Sequence, residues 1–311
     1  MKTTVIHHSA DFDGLFCGEI ARKFLPDAEI IGWDFGDPPT GIPREGILYV
    51  MDLPLDRPFG CDTVDNLLAV TKTDGVEVVW IDHHASSIAS HPTDIPGYRI
   101  DGVAACRLAW FYFTALERYK SQTATADFTW FQGHYPWATK LDFLDRKVAE
   151  PFAVRLAGEY DIWDKRDPDA ETFQYSLRSI DKIPWMALLD DSGEAENFCM
   201  GLVEDGRGPQ RYAQRINESL VRNKSYRMNW EGLNWIVLNT GSFNSLTFAA
   251  LDVPETGHDA LCGFMFNGKN WTVSLYHAKH RTDLDLSKIA IKHGGGGHKG
   301  ACGFISSNFP F

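Results

Sequence analysis

Three apolar runs early in the chain each end on acidic or histidine residues, and this repetition restricts the fold more than any other feature. Thr3–Ser9 (TTVIHHS) leads into His7, His8, Asp11 and Asp13; Ile47–Met51 (ILYVM) leads into Asp52; Val76–Ile81 (VEVVWI) leads into Asp82, His83 and His84. Ala28–Trp33 reads as a further strand, and Gly14–Phe24 (GLFCGEIARKF) spaces its apolar residues at helical period. Continuous apolar strands separated by helices predict a parallel sheet covered on both faces. Ligands of an open parallel sheet gather beyond the carboxyl ends of its strands. The three polar clusters are therefore expected to meet along one crevice.

Downstream, Gly102–Arg118 predicts a helix with a wide apolar face. Lys120–Asp127 reads as a polar surface excursion, and the Lys120–Lys140 region as an insertion. Trp130, Phe131, Tyr135 and Trp137 fit a core patch, or a subunit contact that would make a homodimer, better than a platform for bases. Val148–Tyr160 predicts a helix with Pro151 in its first turn. Gly201–Pro209 (GLVEDGRGP) reads as an interdomain connector before a polar helix, Gln210–Met228. Trp235–Leu238, Ala260–Phe266 and Trp271–Tyr276 read as strands, and Asp285–His293 as a helix that Asp285 or Ser287 would cap. The expected organisation is an α/β chain: a parallel-sheet catalytic domain over 1–200, a linker and connecting helix over 201–228, and a smaller α/β domain over 229–311, with the active site in the cleft between domains.

The 311 residues suit two domains, and 44% hydrophobic residues supply a core at that size. A net charge of −12 argues against a protein that grips long duplex DNA or an anionic membrane through basic surface. No run of ~18 apolar residues offers a membrane span, and the N-terminus turns polar too soon for a secretory signal. The six cysteines stand singly without a CxxC pair, so they read as buried thiols in a reducing cytoplasm rather than disulfides or zinc ligands.

Several carboxylates and imidazoles in one crevice repel or perturb one another unless compensated. Each has an ordinary reading when taken alone. Asp13 could cap the following helix, His7 or His8 could be a packed histidine, and Asp52 before Leu-Pro could be turn chemistry. Two adjacent histidines after a buried strand have little structural purpose, and the joint pattern points to divalent cations. A mixed Asp/His set without thiolates suits Mn2+, with Mg2+ or Co2+ as alternatives. Two such ions side by side form the clamp used for in-line attack at phosphorus. Separately, Gly294–Gly297 precede His298 and Lys299 in GGGGHKGACGF. Glycines between a helix and a strand let backbone N–H groups approach an anion, and His298 and Lys299 could add charge-assisted bonds to phosphate.

Together these residues resemble the DHH family of phosphoesterases, in which the triplet Asp82-His83-His84 gives the name. The order also matches: an H-x3-D-x-D-G element (His7, Asp11, Asp13, Gly14), a lone strand-end aspartate (Asp52), then the triplet. A fourth aspartate before a tryptophan matches Asp161-Ile162-Trp163, with Asp164, Asp142 and Asp145 as weaker rivals. The resemblance implies that His7, Asp11 and Asp52 hold one metal and that Asp13, Asp52, His83 and Asp161 hold the other, Asp52 bridging. It implies a phosphate contact for His84 and an orienting role for Asp82. GGGGHKGACGF resembles the hallmark of the associated C-terminal domain, implying that Gly295, Gly296, Gly297, His298 and Lys299 contact substrate. Where many relatives carry an arginine in an S-L-R element this chain has Ser274-Leu275-Tyr276, so Arg281 is the expected replacement.

The function expected on this basis is two-metal hydrolysis of phosphodiester bonds in short single-stranded oligonucleotides or small nucleotides, with Asp52, Asp82 and His84 in catalytic roles. Cyclic-dinucleotide or pyrophosphate-type hydrolysis is the enzymatic alternative. A non-hydrolytic nucleotide sensor is a second rival, and a metal-storage module a third, which would have no use for the glycine-rich loop.

Overall fold

A computed structural model describes residues 2–35, 37–61, 63–91, 94–122, 128–241, 243, 245–250 and 257–311. The chain divides into two compact units, Met1–Arg207 and Gly208–Phe311.

In the first unit, β1 (Thr3–His8), β2 (Glu29–Trp33), β3 (Gly46–Met51), β4 (Val76–Asp82) and β5 (Gly97–Arg99) form one sheet in the order β2-β1-β3-β4-β5. Every pairing is parallel. The strands are largely apolar because both faces of the sheet are covered. On one face Val5, Tyr49, Met51, Val79 and Ile81 pack with residues of α1 (Phe12–Phe24) and α4 (Ala105–Gln122). On the other, Ile6, Leu48, Val50, Val78 and Trp80 pack with Val64 and Leu67 of α2 (Val64–Asp74). The strand order reverses between β1 and β3, the point at which open sheets of this kind bind ligands. The remaining helices are α3 (Ala85–Ser90), α5 (Phe128–His134), α6 (Lys140–Leu144), α7 (Phe152–Asp161), α8 (Asp169–Ser179), α9 (Trp185–Leu188) and α10 (Gly193–Lys224), the last running past the division between the units.

The second unit holds a six-stranded mixed sheet. β6 (Tyr226–Trp230), β7 (Leu233–Asn239), β8 (Ala260–Phe266), β9 (Trp271–His277), β10 (Gly296–His298) and β11 (Ala301–Ser306) lie in the order β10-β11-β9-β8-β7-β6. One face packs Trp235, Val237, Cys262, Phe264, Val273 and Leu275 with Leu286 and with Ala290 of α11 (Ser287–Lys292). The α/β class expected from sequence is the fold observed.

Two expectations change in detail and a third is met. The division between the units falls inside the Gly201–Pro209 stretch, but the stretch is not a loop: α10 is continuous through it, with Pro209 inside the helix. Pro209 removes one helical donor, and Gly208 before it carries no Cβ to clash with the proline ring. Gly206 is there for packing, since a Cβ would stand 2.3 Å from the Thr172 carbonyl oxygen of α8. The polar helix also stops at Lys224, so Tyr226–Met228 belong to β6 instead. The aromatic segment, expected as a core patch, is core. Phe131 is fully buried, and Trp137 stacks on Tyr112 at 5.7 Å and 15° while donating Nε1–H to the Gln132 carbonyl. The Trp130 side chain and residues 123–127 lie outside the described residues.

The two glycines of α10 separate packing from propensity. Gly206→Ala should destabilise the protein, because backbone stands where the methyl would go. Gly201→Ala, with open space around it, should stabilise by about 0.5–1 kcal/mol through helix propensity alone. Urea denaturation of both variants checks this; a destabilising Gly201→Ala would mean that the helix is broken there.

Candidate metal centre

The loop after β1 and the start of α1 supply the first acidic pair. Asp11 is the N-cap of α1, accepting from the Gly14 N–H at 3.0 Å. Asp13 follows in the first turn and is buried. It does not cap its own helix: its two oxygens accept from the Ala105 and Cys106 N–H groups, at 2.9 and 2.7 Å, at the start of α4. One carboxylate therefore ties α1 to α4 and fixes itself at the sheet end.

Asp52 follows β3 with φ at +57°, a conformation that costs a non-glycine residue free energy and collects at functional sites. Its N–H bonds the Ile81 carbonyl of β4 at 3.0 Å, which holds the turn. His83 and His84 leave β4 over Asp82. Asp82 is fully buried and its Oδ1 accepts from the N–H groups of His83 (2.8 Å) and His84 (3.4 Å) and binds His84 Nδ1 at 2.7 Å. Asp161 comes from the last residue of α7.

These residues converge. His83 Nε2 stands 3.5 Å from Asp13 Oδ2, 3.4 Å from Asp52 Oδ1 and 3.4 Å from Asp161 Oδ2. His8 Nδ1 stands 3.2 Å from Asp11 Oδ2 and 3.4 Å from Asp52 Oδ2. Among the described residues three sets could each hold a cation: Asp52, His83 and His84; His8, Asp11 and Asp52; Asp13, His83 and Asp161. Most of these gaps are long for hydrogen bonds, but donors sharing one ion at ~2.0–2.2 Å stand about 3.0–3.5 Å apart.

The electrostatics carry the same message. Burial, then the neighbouring Asp52 charge, pushes the Asp13 carboxyl up; burial, then Asp13, pushes Asp161 well above the usual carboxylate range. Burial also opposes ionisation of Asp52, but bonds to His8 and His83 hold its carboxyl well below that range. Burial alone would lower both histidines. Asp11 and Asp52 raise His8 to about 11, and Asp52, Asp161 and Asp13 raise His83 to about 11. At His84 burial is likewise outweighed, by Asp82, and the ring's pKa rises. Protons thus compensate a buried carboxylate cluster that a divalent ion would compensate better, so these donors fit the expected cations.

Several expected site residues lie elsewhere than the reading placed them. His7 is in none of the three sets. Side chains alternate across a strand, and His7 faces the α1 side with Val5: its Nε2 would be 2.4 Å from a Cβ on Gly18, and its Nδ1 bonds the His8 carbonyl at 2.8 Å. His8 is the histidine within reach of Asp11 and Asp52. Asp34, missed in the sequence, reaches His8 Nε2 at 3.3 Å; β1–β2 register, which pairs His8 with Trp33, brings it there. The rivals of Asp161 are engaged elsewhere: Asp164 with Arg166, Asp142 in the Thr139 capping box, Asp145 with Lys147. In the second unit, Arg281 is held by Asp259 and bidentately by Asp283 at 3.0 Å, so its charge is already matched. Gly294 and Gly295 donate to the Ile291 and Ala290 carbonyls, ending α11; Gly296–His298 then pair with Ala301–Gly303 as a hairpin. His298 and Lys299 are exposed.

Two outcomes follow. A histidine with a raised folded pKa contributes stability that is complete below its unfolded value and lost as pH rises through the folded one. The metal-free protein should therefore lose stability as pH climbs from about 6.5 toward 11, and Mn2+ binding near pH 7.5 should expel protons. Titration calorimetry in buffers of different ionisation enthalpy reads this directly; buffer-independent heats would contradict it. Asp34→Asn should weaken Mn2+ binding by about 10- to 100-fold, as expected for a carboxylate that orients a ligating imidazole.

No protein-family model matches the chain, and no curated protein matches it in sequence. Solved structures do. The DHH domain of a member of the s1p family of ribosomal proteins is similar at TM-score 0.54 and 13% identity, covering 98% of this chain and 82% of that one. The exonuclease RecJ bound to manganese has a TM-score of 0.48 at 15% identity, covering 98% and 86%. A pGpG-specific phosphodiesterase, PggH from Vibrio cholerae, has a TM-score of 0.39 at 13% identity, covering 99% and 94%. The first likeness, together with the β2-β1-β3-β4-β5 sheet whose strand ends carry Asp52 and Asp82-His83-His84, establishes that this chain has the fold of the DHH domain.

Proposed function

We propose that the chain is a divalent-metal-dependent phosphoesterase that hydrolyses phosphodiester bonds in short single-stranded oligonucleotides or small nucleotides. One observation carries this reading: Asp52 directs Oδ2 at His8 and Oδ1 at His83, 3.4 Å each, so a single buried carboxylate faces two donor sets. On this reading His8, Asp11 and Asp52 hold one ion, and Asp13, Asp52, His83 and Asp161 the other, with Mn2+ the preferred ion for an Asp/His set.

Paired divalent ions, when bound, acidify a water for attack at phosphorus and offset charge on the phosphoryl oxygens. The chain's own groups do the positioning. The αL backbone of Asp52 and its bond to β4 hold the shared carboxylate still. Asp82 holds His84 by Nδ1 and raises its pKa, which orients the ring to contact a phosphoryl oxygen. We assign substrate holding to the second unit, through exposed His298 and Lys299 next to Gly296 and Gly297. Arg281 and Gly295 drop out, since their donors are already engaged.

The test is a panel of 5′-labelled two- to twenty-mers, cyclic dinucleotides, adenosine bisphosphate and pyrophosphate, incubated with protein and Mn2+. Dinucleotides and the shortest oligonucleotides should be cut fastest. Asp52→Asn should lower turnover by more than ~100-fold, beyond what loss of an outer-shell partner costs. Chelation should abolish it. Equal activity of wild type and Asp52→Asn would refute the shared-ligand role, and binding without cleavage across the panel would make the chain a sensor.

A further inference from the structure

We propose that Phe35 is a stacking platform for a nucleobase of the substrate; this rests on the phosphodiester reading above and adds to it that the substrate carries a base beside its phosphate. Phe35 is 55% exposed, yet it touches the candidate metal centre: its ring lies 6.0 Å from the His8 ring at an interplanar angle of 68°. Its other ring neighbour is Trp33, at 5.5 Å and 67°. Both contacts are T-shaped, and neither is a parallel stack.

The ring is held in place rather than left loose. Trp33 is buried and donates Nε1–H to the Pro38 carbonyl at 3.1 Å. The Phe35 N–H bonds Asp34 Oδ1 at 2.7 Å, the Asp34 N–H bonds Asp37 Oδ2 at 2.9 Å, and the Asp37 N–H bonds the Asp34 carbonyl at 3.0 Å. Asp34 in turn reaches His8. One short turn therefore links the histidine that would hold a cation to the exposed phenyl ring.

An exposed phenyl costs apolar surface in water, and burying it against a base recovers that surface. A base lies one sugar away from its phosphate, which matches the single-ring step from His8 to Phe35. Trp163, the other exposed aromatic close in sequence to a candidate ligand, is a poorer platform: Lys165 Nζ sits over its ring at 4.4 Å and Tyr160 flanks it at 5.7 Å. Stacking tolerates any base, and no side chain of the turn is needed to read base edges. The inferred substrate class is base-bearing short phosphodiesters with little base preference.

The experiment compares a dinucleotide containing 2-aminopurine with the same sugar-phosphate lacking bases, on wild type, Phe35→Ala, Phe35→Leu and Phe35→Trp. With Mn2+, Phe35→Ala should raise KM for the base-bearing substrate by about 5- to 150-fold, the range of one base–aromatic stack. Its kcat should hold, the abasic substrate should be unaffected, and Phe35→Trp should restore KM. Phe35→Leu should behave as the alanine variant, since an aliphatic side chain cannot stack. Binding is read separately by 2-aminopurine fluorescence in an Asp52→Asn background: quenching should need an aromatic residue at 35. Equal KM and equal quenching in all variants, or equal losses on both substrates, would overturn the role of Phe35 and leave the hydrolase reading standing. Base-dependent quenching with no hydrolysis of any phosphodiester by wild type would sink the hydrolase reading instead.

Discussion

Burying like charges together is the constraint on which the rest of the first unit depends. Asp13, Asp52 and Asp161 crowd one side of His83, and Asp11 and Asp52 crowd His8. In a low-dielectric setting such a cluster opposes folding unless something positive sits within it. In the metal-free chain that role falls to imidazolium groups, whose protons the carboxylates hold up to about pH 11. The surrounding fold keeps the charges in register: Asp13 is tied to α4, Asp52 to β4, and Asp82 to both histidines. Those bonds are made by the chain's own groups, so the donors are pre-positioned, as a site for fixed-geometry chemistry requires.

The parallel sheet explains why residues so far apart in sequence meet. Strand order reverses between β1 and β3, opening the crevice into which His8 and Asp52 project, and β4 brings His83 alongside. α7 closes the site by ending on Asp161. The second unit is built on other lines, a mixed sheet over α11, and its glycine-rich stretch serves that fold first. Gly295, Gly300 and Gly303 each lie where a Cβ would meet backbone or a ring within 2.5 Å.

What was legible in the sequence, and what was not, divides by range. The strands and their acidic ends were readable because apolar period and strand-end polarity are local signals. The Asp82-His83-His84 triplet was readable because its residues are adjacent. The choice between His7 and His8 was not: it depends on which face of β1 meets Gly18, a packing fact that spacing does not encode. Asp34 was hidden because its contact with His8 crosses from β2 to β1. The ordinary alternative for Asp13, a cap on its own helix, is not what forms: its carboxylate caps a helix some ninety residues away. The Gly201–Pro209 stretch holds the division between the units, as read, but not as a loop. Glycine and proline break isolated helices, but here tertiary packing against α8 overrides propensity.

The central claim is that Asp52 places two cations side by side. Electron paramagnetic resonance of protein titrated with Mn2+ tests it most directly, because neighbouring Mn2+ ions sharing a ligand couple magnetically. The account predicts two ions per chain with a spin-coupled spectrum that Asp52→Asn abolishes. A single uncoupled ion in the wild type, or a coupled pair that persists in Asp52→Asn, would contradict it.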